Sequence, residues 1–117
     1  MPAPWMGVIA ELGIRLSDLV EGLSTWSQAT FGTDAERGPT GPLKHLQKEA
    51  AEAIQAIGTE DFPVEMADIL ILWLDALRRG GITPMQGLDA ALAKLKVNRA
   101  RTWPKPVNDE PVEHVRD

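Results

Sequence analysis

Two acidic pairs carry the chemistry that this sequence offers. They are Glu49 and Glu52 in Glu49-Ala-Ala-Glu52, and Glu65 and Asp68 in Glu65-Met-Ala-Asp68. Residues three apart on a helix lie on one face, with Cβ atoms about 5–6 Å apart. Between the pairs, Gly58 supplies a helix end and Pro63 a helix start. Helices joined by so short a connection run antiparallel, so both pairs would point at one spot. Four carboxylates do not share a low-dielectric cleft without cations. Hard oxygen ligands suit Mg²⁺ or Mn²⁺, and a paired-ion site can activate a water for phosphoryl chemistry. The only histidines are His45 and His114, and neither follows a Glu by three. The Glu-x-x-His motif of di-iron bundles is therefore absent. A cation from a neighbouring helix is the alternative partner for the acids, and a solvated acidic face is the plainest reading.

Lys94, Asn98 and Arg101 follow at helical spacing on one later face. Two fixed cations and an amide suit polyphosphate oxygens. The same residues also suit the negative end of a helix dipole. Trp26 and Trp103 can stack on a base, with core packing or a subunit contact as the equal alternative. His45 lies one helical turn before Glu49, placed to touch phosphate or to support a ligand.

The elements that must hold these residues read as helices. Ile9, Leu12, Leu16, Leu19, Leu23 and Trp26 form a first apolar stripe at spacings of three and four. That helix is expected to end between Thr30 and Gly32. Phe31 to Pro42 is rich in Gly and Pro and reads as a loop. Leu43, Leu46, Ala50, Ala53, Ile54 and Ile57 would be the core face of a second helix opened near Pro42, with Glu49 and Glu52 at its edge. A third helix runs from about Pro63 to Arg79, with Val64, Ala67, Leu70, Ile71, Leu74 and Leu77 as its core face and Trp73 in the core. Asp75 falls on roughly the side of Asp68. Thr83-Pro84-Met85-Gln86 has the pattern of a helix start. The fourth helix should reach about Thr102, with Leu88, Ala91, Leu92 and Leu95 inward. No strand-like alternation occurs. The expected architecture is an all-α bundle of four to five helices, a single domain over 1–104 followed by a flexible or partner-draped tail over 105–117.

The whole chain fits this picture. Its 117 residues suffice for one domain with a core. Its formal net charge is −5, which argues against a nucleic-acid backbone binder but leaves a nucleotide substrate open, since metals supply local positive charge. No cysteine is present, so thiolate metal sites and disulfides are excluded. The longest apolar run, Ile69 to Leu74, is too short to span a bilayer. The start, Met1-Pro-Ala-Pro-Trp5, lacks the basic region of a signal peptide. A cytoplasmic protein without membrane or nucleic-acid partners is expected.

Beyond the acids, the phrasing resembles a known family. The two acidic pairs at this separation are similar to the signature of the MazG-like, all-α nucleoside triphosphate pyrophosphohydrolases. Trp26…Phe31-Gly32, Gly41-Pro42-Leu43-Lys-His45-Leu46-x-x-Glu49-x-x-Glu52, Glu65-Met-Ala-Asp68-Ile-x-Ile and Lys94-Leu-x-x-Asn98-Arg-x-Arg101-x-Trp103-Pro104 resemble its phage and bacterial dATP/dGTP pyrophosphohydrolase branch. The resemblance covers roughly 16–104. It implies hydrolysis of a purine dNTP, dGTP or dATP, to the monophosphate and pyrophosphate. Glu49, Glu52, Glu65 and Asp68 would hold the catalytic Mg²⁺ or Mn²⁺ ions, two or more, with one carboxylate serving as base for the attacking water. Lys94, Asn98 and Arg101 would bind phosphates, and Trp26 or the 31–41 loop the base or sugar. Family members form homodimers or homotetramers with sites near the subunit interface. Cleaning of the nucleotide pool and supply of dGMP for modified phage DNA are both open.

Two rivals remain. One is the same hydrolysis on dUTP or dCTP, which would change only the base pocket. The other is a non-catalytic helical interaction module with solvated or salt-bridged acids.

Overall fold

Helix α1 spans Trp5–Phe31 in this computed structural model, which describes residues 3–116. Met1, Pro2 and Asp117, the extremes of the N-terminal stretch and the tail considered above, lie outside the described residues. Helix α2 spans Thr40–Ala56, α3 Phe62–Arg79 and α4 Pro84–Ala100. Among the described residues there is no strand. No helix is long and apolar enough to cross a membrane. The expected helix count and order hold, with shifts of a few residues at the ends.

Local chemistry explains the ends. Pro63 sits in the first turn of α3, where its missing N–H costs nothing, with Glu65 beside the positive end of the dipole and Arg78 and Arg79 in the last turn. The stop is a Schellman turn. Gly81, at φ 80°, donates to the Arg78 carbonyl at 2.9 Å, and Ile82 donates to the Leu77 carbonyl at 3.0 Å.

The chain divides into two compact units, one up to Pro84 and one from Met85 onward. In the first, α2 packs chiefly on α3, and α1 packs on α3 as well. Its buried apolar residues are Leu23, Ala53, Ala56, Leu74 and Ala76, joined by buried Ser27, Glu49, Asp75 and Arg79. Several expected core positions are instead exposed within the chain: Ile9, Leu12 and Trp26 of α1, Leu43 and Ile54 of α2 with Ile57 just after it, and Val64, Ala67 and Leu70 of α3. Trp73 is half-buried. The reason is visible on α2. Its α3-facing stripe is Glu49, Ala53 and Ala56, at spacings of four and three, and the larger Leu43–Ile54–Ile57 stripe occupies a neighbouring face.

In the second unit the expected inward stripe Leu88, Ala91, Leu92 and Leu95 is exposed, and Gly87 is the buried position of α4. Among the described residues after Ala100 there is no helix. This segment returns on its own unit: Val115 donates to the Thr102 carbonyl at 2.7 Å, and the rings of Trp103 and His114 meet edge to face at 5.7 Å.

Candidate functional site

The α2–α3 pairing brings the acids together. Glu49, Glu65 and Asp68 each offer a carboxylate oxygen, all within 4.8 Å of one another. Glu49 is buried, and Glu65, Asp68 and Glu52 are half-buried. Glu52 stands beside Glu49 just outside this cluster. One oxygen of Glu49 meets His45 Nε2 at 3.0 Å. Glu49 Oε2 and Glu65 Oε2 are buried with no hydrogen-bond partner. An unsatisfied buried carboxylate oxygen is costly. Two of them in one three-acid cluster fit hard divalent cations such as Mg²⁺ or Mn²⁺.

The titration behaviour follows from this crowding. The neighbouring Glu65 carboxyl holds the Glu49 carboxyl below its ordinary range, opposed by burial and assisted by Glu52 and His45. The Glu49 carboxyl beside it, then burial, then the charges of Glu49, Glu52 and Asp68 push Glu65 up. Glu65 is thus the acid of the pair that gives up its proton last as pH rises.

A cavity of about 710 Å³ opens beside this cluster. Phe31, Arg37, Gly41, His45, Leu72 and Arg79 are among its lining residues. His45 belongs to both cavity and cluster, touching Glu49 on one side. Trp26 is not among the lining residues. It is exposed and packs edge-on against Phe31, with centroids 5.3 Å apart.

Lys94, Asn98, Arg101 and Trp103 lie in the second unit. Lys94 is exposed. Arg101 Nη1 donates to Asn98 Oδ1 at 3.4 Å, and Trp103 Nε1 donates to the Asn98 carbonyl at 2.7 Å. Asn98 therefore organises the end of α4 around itself.

Sequence reasoning missed a second polar cluster. Ser27 is fully buried and donates to Asp75 Oδ2 at 3.0 Å. Arg79 donates from Nε to the same oxygen at 3.2 Å, and from Nη2 to Ser27 Oγ at 2.9 Å. Arg78 Nη2 donates to Asp75 Oδ1 at 2.7 Å. Burial raises the Asp75 pKa, and the bonds from Ser27, Arg78 and Arg79 together outweigh it, leaving the carboxyl below its usual range. The available signal was an Asp and an Arg four apart inside a very apolar helix, where each needs a partner.

Comparison with known proteins gives the chain a family. A family model described as dATP/dGTP pyrophosphohydrolase matches residues 19–117. The Eaa protein of Salmonella phage P22 is 46% identical over 92 residues, which is 79% of this chain and 27% of that protein. The dATP/dGTP diphosphohydrolase of cyanophage S-2L is 38% identical over 73 residues, 62% of this chain and 66% of that protein. The chain thus spans about a quarter of the first relative and about two thirds of the second. A solved structure, the cyanophage S-2L MazG-like pyrophosphohydrolase bound to dGDP and three catalytic Mn²⁺ ions per active site, is similar with a TM-score of 0.66 and 30% identity. That match covers 86% of this chain and 93% of the other. The acid cluster of α2 and α3 lies within the span matched by the family model, and the chain belongs to the dATP/dGTP pyrophosphohydrolase family.

Proposed function

We propose that this protein hydrolyses a purine deoxynucleoside triphosphate, dGTP or dATP, to the monophosphate and pyrophosphate, using Mg²⁺ or Mn²⁺. The observation that carries the reading is the α2–α3 acid cluster, with two buried carboxylate oxygens that have no hydrogen-bond partner. The cyanophage structure with dGDP and Mn²⁺ supports it.

Glu49, Glu65 and Asp68, with Glu52 adjoining, would hold the ions. Bound divalent cations would polarise the phosphate oxygens and lower the pKa of the attacking water. The chain's own groups do the rest. His45 steadies Glu49 at 3.0 Å and faces the cavity that suits the base and sugar. One carboxylate of the cluster takes the proton from the attacking water. Lys94, Asn98 and Arg101 are assigned to the polyphosphate, and Trp26 and Trp103 to stacking. Supply of dGMP for modified phage DNA is the role that fits a phage setting.

The exposed apolar stripe Leu43–Ile54–Ile57 supports a homo-oligomer, since an isolated soluble chain rarely leaves such a stripe uncovered. A homodimer or homotetramer is the assembly proposed.

The test is pyrophosphate release across dGTP, dATP, dUTP, dCTP and GTP with Mg²⁺ or Mn²⁺, with the nucleotide product identified. Monophosphate and pyrophosphate from a purine dNTP support the reading. Turnover of dUTP or dCTP alone keeps the chemistry and moves the substrate. No turnover by folded protein with metal overturns it. Glu49→Gln with Glu52→Gln should abolish turnover while the helical fold persists, and unchanged activity in that variant would remove the site assignment.

A further inference from the structure

Two adjacent arginines at the end of α3 hold the loop between α1 and α2 at several points. Arg79 is buried. Its Nη1 faces the carbonyls of Thr33 and Arg37 at 3.4 and 3.5 Å, and its Nη2 donates to the Ser27 carbonyl at 3.2 Å. Arg78 Nε reaches both carboxylate oxygens of Asp34, at 3.0 and 3.2 Å. Asp75 and Ser27 fix the two guanidiniums from behind. The loop so held is a wall of the cavity beside His45, and Arg79 lines that cavity itself.

A buried ion pair is poor value for stability alone, because apolar residues of similar volume often do as well. What a guanidinium offers that leucine does not is direction: a planar fork of donors with a fixed geometry. Here Asp75 and Ser27 take the Nε and Nη2 donors, and Nη1 is aimed at two backbone carbonyls of a loop with Gly32, Gly38 and Pro39.

We propose that Arg79, backed by Asp75 and Ser27 and extended by Arg78–Asp34, is a positioning device for the nucleotide: it sets the 32–38 loop so that the cavity is shaped for the base before substrate arrives. This rests on the nucleotide reading given above. Ordering the wall in advance lowers the entropic cost of binding. Its loss should therefore weaken substrate binding and leave the metal cluster, on another stretch of α2 and α3, unaffected.

Two variants test this. Arg79→Lys keeps the charge and loses the fork. Asp34→Asn removes the loop's charge pairing with Arg78, and with Arg79 Nη1 at 3.5 Å, at a partly exposed position, leaving the buried Asp75–Arg79 pair in place. Each is compared with wild type in three measurements: amide hydrogen exchange of residues 32–38 without nucleotide, Mn²⁺ affinity without nucleotide, and kcat and KM for whichever of dGTP, dATP, dUTP or dCTP the wild type turns over best. Faster exchange in the loop, unchanged Mn²⁺ affinity, KM raised about tenfold and kcat within about twofold are expected. Faster exchange with unchanged KM would overturn the inference, as would unchanged exchange, or an equal loss in kcat and Mn²⁺ affinity. If Arg79→Lys does not fold, Asp34→Asn decides alone. No turnover of any nucleotide by wild type would overturn the underlying reading and this inference with it, whereas wild-type turnover with unaffected variants overturns the inference only.

Discussion

Glu49 on α2 and Glu65 on α3 are shifted in opposite directions because their carboxyls crowd each other: each is the largest influence on the other, holding Glu49 down and lifting Glu65. The Glu65 carboxyl thus holds its proton to a higher pH than an ordinary carboxylate does. Metal ligands must be deprotonated, so in acid a cation would compete with that proton.

Metal binding in acid should therefore release protons, and its affinity should fall with acidity from a higher pH than an ordinary carboxylate site would show. Mn²⁺ titrations by calorimetry in buffers of different ionisation enthalpy count the protons. A heat independent of buffer in acid would contradict the raised Glu65 carboxyl.

Glu65→Gln should separate stability from function. Because the folded-state pKa of Glu65 is raised, its contribution is present below the usual carboxylate pKa and is lost as pH rises above it. At neutral pH the neutral amide relieves the repulsion from Glu49, Glu52 and Asp68. Thermal melts without metal should therefore move up. Mn²⁺ should no longer stabilise, its affinity falling by more than the roughly 10–100-fold that loss of a supporting partner costs. A drop in the metal-free melting temperature would show that the cluster is not strained.

The Asp75 cluster has the opposite pH signature. Its carboxyl is depressed, so its stabilisation is full above the unfolded value of about 3.9 and disappears as pH falls through the lower folded value. Asp75→Asn should cost about 3 kcal/mol at neutral pH, because it leaves two guanidiniums under-compensated. Urea unfolding across pH should show wild type and variant converging in acid. Parallel curves would place the stabilisation elsewhere.

Ser27→Ala removes a hydroxyl that both donates to Asp75 and accepts from Arg79. A loss of about 2 kcal/mol is expected for bonds to charged partners in a buried site. A loss of unfolding free energy below about 0.5 kcal/mol, read from denaturant titration, would mean that water replaces the hydroxyl.

His45 is over half exposed, with 54% of its side chain accessible, and its ring meets Glu49. His45→Ala should leave the melting temperature almost unchanged and weaken Mn²⁺ binding about tenfold, as loss of a supporting partner does. Unchanged Mn²⁺ affinity would make the contact incidental.

Helix number, order and most ends were legible because periodicity, Gly and Pro act locally. The acid constellation was legible for the same reason, since spacing on a helix places carboxylates without tertiary knowledge. The packing faces were less so. On α2 the expected stripe of Leu43, Leu46, Ala50, Ala53, Ile54 and Ile57 is split: Ala53 is buried and Leu46 and Ala50 are half-buried, while Leu43, Ile54 and Ile57 are exposed and Glu49 and Ala56 are buried instead. Apolarity says that a face is covered and does not say by which neighbour. The Ser27–Asp75–Arg79 cluster was missed because its members lie on different helices, and a lone serine on α1 carries no local sign of its partner. Asp75 was placed on the Asp68 side by spacing, but its partners turned out to be arginines and Ser27, not the acid cluster.

Ala53 and Ala56 follow Glu49 along the α3-facing stripe of α2. A methyl group is the smallest spacer that a side chain offers, so these alanines set how closely the two backbones run. The gauge of the acid cluster is thus kept by residues with no chemistry of their own. A larger residue at either alanine would act as a shim, widening the gap between the carboxylates and retuning which ion fits, while every charged group stayed in the sequence.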